Sequence, residues 1–274
     1  ADTRLRAKYA DMLTCEDWWC GRGRPRGFLL SRLAVKRNAM RKVRPQDVKQ
    51  DFADFVAERL AYFQRVEALL LGTQHEKRDI STLSETTLHA VYVAFECFLS
   101  DLFLAYMNRD FSQYQSTLRA KISSSNREKF GQWAESRISF STVAHIKIEQ
   151  IESILDPESF NVTFKSVEVL KQRAIEWLAV PLRNGITGIS APDARLIDCV
   201  HAIRNFIAHQ SPNAKSRMNS ALATVTQGNT CPNLHLGRGA HDVHDIGAFL
   251  KSSLAGQRRV QRYAARLAAI AATL

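Results

Sequence analysis

Glycine and proline are scarce in this chain, with only 12 Gly and 7 Pro among 274 residues. Turn-rich all-β architectures and low-complexity chains need more of both, so this composition argues against them. No apolar run approaches the roughly 18 residues of a membrane span, and the first residues lack the apolar centre of a signal peptide. We therefore expect neither secretion nor membrane insertion. Hydrophobic residues make up 45% of the chain, which is enough for a sizeable globular core.

Cysteine is also sparse, and its five positions are scattered along the chain. An odd, dispersed set is typical of a reducing compartment, so we expect a cytoplasmic protein without disulfides. A zinc site would have to be drawn from Cys15, Cys20, Cys231, His235, His241 and His244. The first two have a spacing that is not standard for zinc, and the histidines are scattered in an irregular segment. We expect no metal and no cofactor.

Acidic residues are depleted at both ends of the chain. Residues 1–45 carry 12 Lys/Arg and 4 Asp/Glu, and residues 251–274 carry 5 basic and no acidic residues. Because the whole chain has a net charge of +11, the middle, 46–250, has a net charge of −2. Basic arms of this kind contact polyanions such as nucleic acid, dock on acidic protein surfaces, or are simply solvated. The candidate nucleic-acid-binding residues are Arg22, Arg24 and Arg26 in a glycine-rich loop, and Arg259, Arg262 and Arg266 on one side of the last helix.

A second feature of the first arm is the pair Trp18 and Trp19, next to its arginine-rich loop. Two exposed indoles can stack nucleobases. Such a pair more often anchors an arm on its own domain or on a partner, and we favour that interpretation.

Apolar periodicity predicts an all-α protein. One amphipathic helix follows Pro45 and ends near Gly72. A second begins near Ser84 and carries an apolar stripe of Leu88, Val91, Tyr92, Phe95, Leu99, Leu102, Phe103 and Tyr106. Shorter helices are predicted at about 112–121, 126–136, 142–155 and 165–180, with a loop over Pro181 to Gly188. Three further helices are predicted: one that starts at Ala191-Pro192-Asp193 and stops at Ser211-Pro212, one to about Val225, and one from about Ala248. The predicted organisation is a basic arm over 1–45, a helical domain over 46–226, and an irregular loop with a basic helix over 227–274.

The segment from Arg204 to His209 is the strongest candidate site. About 0.8 Arg/His pairs with this spacing are expected by chance from the composition, so the spacing alone means little. Requiring Asn205 after the arginine lowers that expectation to about 0.03. The segment also lies at the end of an apolar-periodic helix, directly before a turn marked by Pro212.

Arg204-Asn205-Phe206-Ile207-Ala208-His209 resembles the R-N-x-x-x-H signature of the HEPN superfamily. Glu96 adds to the resemblance, since members of that superfamily often carry an acidic residue in an early, strongly apolar helix. The resemblance covers about residues 50–225 and implies a helical bundle that commonly dimerises. It also implies metal-independent cleavage of RNA to 2′,3′-cyclic phosphates, with a composite site from two protomers, in a toxin, a phage-defence effector or an RNA-processing enzyme.

The same residue types suit this chemistry on physical grounds. Glu96 lies on the apolar stripe, where a carboxylate is costly unless it is paired, and Arg204 is a suitable partner or a clamp for phosphate. His209 titrates near neutrality and can act as a general acid or base, and Asn205 can orient the motif. Positions five apart on one helix differ by about 140°. Either the helix therefore ends before His209, or a second subunit supplies half of the site.

We therefore predict a HEPN-like endoribonuclease with Arg204, His209, Asn205 and Glu96 in its active site, RNA as substrate, a homodimer, and an antitoxin or defence-complex protein as a further partner. The alternative is a non-catalytic HEPN-like module that binds RNA, nucleotide or protein. In that case His209 would interact with the helix dipole and Arg204 would only neutralise Glu96. A third and weaker hypothesis is a basic DNA-binding or structural subunit.

Overall fold

A computed structural model describes residues 43–143, 146–155, 162–226, 236–238, 241–254 and 256–274 of the chain. One compact unit spans Lys42–Leu274. Residues 1–42 of the predicted basic arm, with Trp18 and Trp19, lie outside the described residues, whereas Pro45 already belongs to the first helix. The fold is almost entirely helical there, which confirms the predicted all-α class. The elements are α1 (Pro45–Leu70), α2 (Glu76–Arg109), α3 (Ser112–Glu135), α4 (Ile148–Leu155), α5 (Val167–Trp177), α6 (Val180–Thr187), α7 (Ala191–His209), α8 (Pro212–Thr226), α9 (Ile246–Lys251), β1 (Ser253–Leu254), β2 (Gln257–Arg258) and α10 (Arg259–Thr273).

Helix α2 is the centre of the bundle and packs against α1, α4, α7, α9 and α10. Every member of its predicted apolar stripe is buried, which confirms that stripe. An 18-residue stretch of α2 has a mean hydropathy of 1.5, long and apolar enough to cross a membrane by composition alone. Of that stretch, 61% is buried inside the protein. A helix surrounded by other helices is expected to be this apolar.

Helix α1 packs along α2 through aromatic side chains. The Phe52 ring stacks on Phe98 with a centroid distance of 5.0 Å and tilts against Phe95 at 5.7 Å. Pro45 stands at the start of α1, where its missing N–H leaves no helical hydrogen bond unmade. Gly72 follows the last turn with a φ of +76°, as predicted for a residue that ends a helix.

Helix α2 begins eight residues before the predicted start at Ser84, because its first turn is polar and solvent-facing and shows no apolar periodicity. Glu76 and Asp79 stabilise that turn through the helix dipole. Two helices predicted between 112 and 136 are one, α3, with a kink at Gly131, where φ is +80°.

The loop predicted over Pro181 to Gly188 is wrong, since α6 occupies most of it. Pro181 fits the first turn of this helix. Gly185 allows the helix to approach the chain near Leu274, whose main-chain oxygen would lie 2.4 Å from a Cβ atom at this position. Tertiary packing therefore overrides a locally turn-like sequence.

The predicted limits of α7 and α8 are confirmed. The Ser190 hydroxyl accepts a hydrogen bond from the Asp193 N–H at 3.3 Å, and Pro192 occupies the first turn of α7. At the other end Gln210 adopts a left-handed conformation with a φ of +49°, and its N–H donates to the Phe206 carbonyl at 2.8 Å. Pro212 then begins α8.

The C-terminal region was predicted as one helix from about Ala248, and this prediction is wrong. The structure has α9, a short hairpin and α10 there. Gly256 makes the turn between β1 and β2 with a φ of +78°. Helix α10 packs on α1 and α2. Its predicted apolar side is confirmed by burial of Val260, Tyr263, Leu267 and Ile270.

Candidate functional site

Four ionisable side chains of α2 share one face of the helix: Glu85, His89, Tyr92 and Glu96. They share it because they are spaced four, three and four residues apart. Tyr92 stacks on His201 of α7, and Glu96 forms an ion pair with Arg204, so this face is turned to α7. Together they form a half-buried polar layer inside an otherwise apolar interface. We call it the polar seam and define it as Glu85, His89, Tyr92 and Glu96 of α2 with Asp198, His201, Arg204 and Asn205 of α7.

Arg204 and Glu96 are the charged centre of the seam. The Nη2 atom of Arg204 lies 3.3 Å from Oε2 of Glu96, and the two side chains are only 18% and 20% exposed. The Nη1 atom of Arg204 donates to Oδ1 of the neighbouring Asn205 at 2.9 Å. The Nε atom is buried and has no hydrogen-bond partner among the described residues. The guanidinium is thus held at two of its nitrogens.

Burial is the largest influence on the pKa of the Glu96 carboxyl. It raises the pKa of Glu96, and the positive charge of Arg204 opposes that rise. Arg204 is the single Lys or Arg of the seam as defined. The sequence predicted that Arg204 would pair with Glu96, and the contact confirms that pairing; the catalytic role of the two residues stays a prediction.

Two histidines that the sequence left without a role also belong to the seam. The His201 ring lies parallel to that of Tyr92, with centroids 5.7 Å apart and planes 6° apart. Burial and the nearby Arg204 charge lower the pKa of His201, and Asp198 opposes this. The same two causes lower the pKa of His89. Both imidazoles therefore take up a proton less readily than an exposed histidine does.

Asp198 connects the seam to α5. Its Oδ1 atom accepts a hydrogen bond from the Val167 N–H at 3.0 Å, at the start of that helix. Burial raises the pKa of Asp198, and the Val167 N–H opposes that rise. Sequence reasoning missed Asp198, although its spacing from His201 and Asn205 places all three on one side of α7.

His209 is the last residue of α7 and is exposed. The first of the two predicted alternatives is therefore wrong, because the helix does not end before His209. On a continuous helix the side chains of Arg204 and His209 leave the axis about 140° apart. One copy of α7 does not turn both residues to one point on its surface.

An open cleft of about 480 Å³ lies at the end of the seam nearest to the C-terminus of α7. Phe206, Ile207 and Gln210 line it, opposite Glu85 and a segment that includes His244. The Nζ atom of Lys215 lies 3.4 Å from Nδ1 of the His244 ring. Sequence reasoning missed this cleft, since its residues come from three separate stretches of the chain.

Glu85 is the half-buried acid of this cleft. Burial and the nearby Asp245 carboxylate raise its pKa, and a hydrogen bond from the Gly247 backbone opposes them. A carboxyl in this position takes up a proton more readily than an exposed one. The cleft thus holds both an acid and basic groups, and a diffusible ligand can reach it from solvent.

The predicted phosphate-binding arginines of α10 make contacts within the bundle. Arg266 donates from Nε and Nη2 to Oδ1 of Asp193, at 2.9 and 2.5 Å. The Arg259 guanidinium lies 4.5 Å from the centre of the Phe249 ring. Arg262 donates to the Leu254 carbonyl at 3.3 Å. Nucleic-acid binding by these three stays a prediction, and Arg22, Arg24 and Arg26 lie outside the described residues.

Metal ligands do not cluster in the part of the chain that the structure describes, where no group of three or more His, Cys, Asp or Glu side chains could hold an ion. Cys15, Cys20, Cys231 and His235 of the weighed zinc set lie outside that part. His241 and His244 lie within it.

Comparison of this chain with protein-family models, with curated proteins and with solved structures gave no match.

Proposed function

We propose that this protein is a metal-independent endoribonuclease of the HEPN type, a bacterial toxin or phage-defence effector. The observation that carries the proposal is that Glu96 and Asn205 hold Arg204 in place on the same helix that ends at the exposed His209, five residues later. Metal-free cleavage of RNA requires a fixed cation and a solvent-accessible imidazole, here supplied to one phosphate by two copies of the helix.

The reaction is an attack of the ribose 2′-oxygen on the adjacent phosphorus. A general base takes the proton of the 2′-OH, the bond from phosphorus to the 5′-oxygen breaks, and a general acid protonates that oxygen. The products are a 2′,3′-cyclic phosphate and a free 5′-OH. In this proposal His209 transfers the protons and Arg204 stabilises the charge on the phosphoryl oxygens.

Arg204 can donate hydrogen bonds to a phosphate while it keeps its ion pair with Glu96. A guanidinium has five N–H donors, and the described contacts use one each on Nη1 and Nη2. Glu96 is therefore a positioning residue in this proposal, since it fixes the direction of the guanidinium and does not contact RNA.

The angle between Arg204 and His209 supports a site made from two protomers. Two copies of α7 that meet around a two-fold axis would bring Arg204 of each copy towards His209 of the other. A homodimer is therefore part of the proposal, and a protein partner that silences the toxin would act by covering this end of α7.

A non-catalytic module that binds RNA, nucleotide or protein is the second candidate. It is favoured by the balance of charge in the seam, where Glu96 already neutralises Arg204. The ion pair between α2 and α7 fits a binding module as well as an enzyme, because the half-buried Glu96 carboxylate needs a cation in both.

Cleavage of total RNA in EDTA tests the proposal. We expect cleavage by the wild type and its loss, by about 100-fold or more, in Arg204→Ala and in His209→Ala. Two matched controls should remain active: Arg195→Ala, which lies on the same helix about 180° from Arg204, and His75→Ala, an exposed histidine outside α7. Mixing the two inactive variants should restore part of the activity, since a mixed dimer holds one site with both residues intact.

Three results would decide against parts of this proposal. Equal cleavage by wild type and by both variants would exclude these residues from the site. No cleavage by any form across several RNA classes would favour the binding module. No recovery on mixing, with dimers present, would exclude the composite site.

A further inference from the structure

The distal half of α3 is the most exposed aromatic surface in the part of the chain that the structure describes. No residue of α3 is buried, and Phe130 and Trp133 are 70% and 73% exposed. The two rings stand on either side of the kink at Gly131. Aromatic side chains normally bury most of their area. Two neighbouring rings that remain in solvent therefore indicate a binding surface.

The surroundings of these rings are basic. The segment 126–137 contains three Lys or Arg and two Glu, a net charge of +1 in a central region, 46–250, whose net charge is −2. Lys129 and Arg137 flank the two rings in sequence, and neither forms an ion pair with a described residue. The Arg137 guanidinium lies 5.4 Å from the centre of the Trp133 ring. Two cations that form no ion pair with a described carboxylate, Lys129 and Arg137, therefore lie next to the exposed rings in the sequence.

The proximal half of α3 holds this surface away from the bundle. The Thr117 hydroxyl donates to the Glu176 carbonyl oxygen at 2.7 Å, and the Lys121 ammonium lies 2.8 Å from the Glu176 carboxylate. Beyond these contacts the Arg127 guanidinium and the Glu135 carboxylate pair across the kink. The proximal contacts thus attach α3 to α5, and the Arg127–Glu135 pair joins the two sides of the kink.

We propose that the distal half of α3, defined as residues 126–137, binds single-stranded RNA by stacking bases on Phe130 and Trp133. Lys129 and Arg137 contact the phosphates on either side. Aromatic planes interleaved with cations recognise unpaired strands in this way, because every base has a face to stack and every linkage carries a charge. That the strand is RNA rests on the proposed function, whereas the stacking and the charge do not.

A second protein surface fits this segment less well. Aromatic residues and Arg are enriched at protein interfaces, but Lys is depleted there, and a matching acidic, apolar patch would be needed opposite Lys129 and Arg137. The other exposed apolar side chains of α3, Leu118 and Ile122, lie in its proximal half, outside residues 126–137. Self-association through α3 is therefore an outcome of the test and not the proposal.

Anisotropy with the full chain and a labelled, unstructured 2′-O-methyl RNA of about 12 nucleotides tests the proposal, because such a strand cannot undergo 2′-OH attack. We expect Trp133→Ala and Phe130→Ala each to weaken binding by roughly tenfold at physiological salt, and Trp133→Phe to retain most of the affinity. The double variant Lys129→Ala/Arg137→Ala should weaken binding and reduce its dependence on salt. Leu69→Ala, at a side chain that is 78% exposed on α1, is the control for loss of exposed apolar area.

Unchanged affinity in both Ala variants would overturn the proposal. If those variants also sediment as a smaller species than the wild type while their RNA affinity is unchanged, the surface is a protein–protein contact, and the proposal is overturned. The two proposals fail separately. Binding that depends on Trp133 in a protein that cleaves no RNA would sink only the ribonuclease assignment. Cleavage that depends on Arg204, with binding indifferent to Trp133 and Phe130, would sink only this one.

Discussion

The Arg204 guanidinium lies 3.3 Å from the Glu96 carboxylate and joins α7 to α2 inside a largely apolar interface. Both side chains are less than about one-fifth exposed, so each charge depends on the other for its stabilisation. This contact makes the candidate site part of the structure of the bundle as well as of its proposed chemistry. Activity and stability must therefore be measured together in every variant of these residues.

Removing one partner of this pair should cost more than removing both charges. Arg204→Ala leaves a half-buried carboxylate without a cation, and we expect a loss of about 1–3 kcal/mol in the free energy of unfolding. Adding Glu96→Gln to that variant should recover part of the loss, because the amide carries no charge. Urea unfolding of the wild type, Arg204→Ala, Glu96→Gln and the double variant measures the coupling energy between the two side chains. Strict additivity would show that the contact contributes nothing.

The seam histidines should make stability fall with decreasing pH. Their folded-state pKa values are lowered by burial and by Arg204, so their contribution is fully present above about 6.5 and is lost as pH falls towards the lowered values. The neighbouring carboxyls Glu85, Glu96 and Asp198 have raised pKa values and act with the opposite sign. A comparison between variants separates the two effects.

His201→Phe keeps a ring against Tyr92 but cannot titrate. We expect its free energy of unfolding to decline less steeply than that of the wild type between pH 7 and pH 5, by at most about 1.4 kcal/mol per pH unit. The exposed His75→Phe is the control. Parallel curves for His201→Phe and wild type would mean that His201 does not change its proton affinity on folding.

Gly185 should tolerate no side chain. A Cβ atom there would lie 2.4 Å from the main-chain oxygen of Leu274 and 2.7 Å from that of Thr273, and backbone atoms cannot turn aside as a side chain can. We expect Gly185→Ala to lower the free energy of unfolding by about 1–3 kcal/mol, measured by urea unfolding. Asn184→Ala, at an exposed position of the same helix, should change it little. An effect of Gly185→Ala as small as that control would show that α6 moves away without cost.

The limits of α7 and α8 were predictable because their signals are local. Ser190 and Pro192 begin one helix and Pro212 begins the next, and each acts within a turn of its own position. The start of α2 was not predictable in this way, since its first turn is solvent-exposed on most sides. The helix at Val180–Thr187 was missed for a different reason, because it depends on packing of Gly185 against the distant Leu274.

Apolar periodicity in the sequence predicts the helices of the described region, places Glu96 on the apolar stripe of one of them, and places Arg204 and His209 five positions apart near the end of another. Helical periodicity is a local property, so it also set the angle between those two residues. The packing of the helices sets the register in which α2 meets α7, and this register pairs Glu96 with Arg204 and stacks Tyr92 on His201. Packing also leaves Phe130 and Trp133 in solvent. Contacts between residues far apart in the chain depend on how the helices pack, and no spacing along one helix encodes that packing.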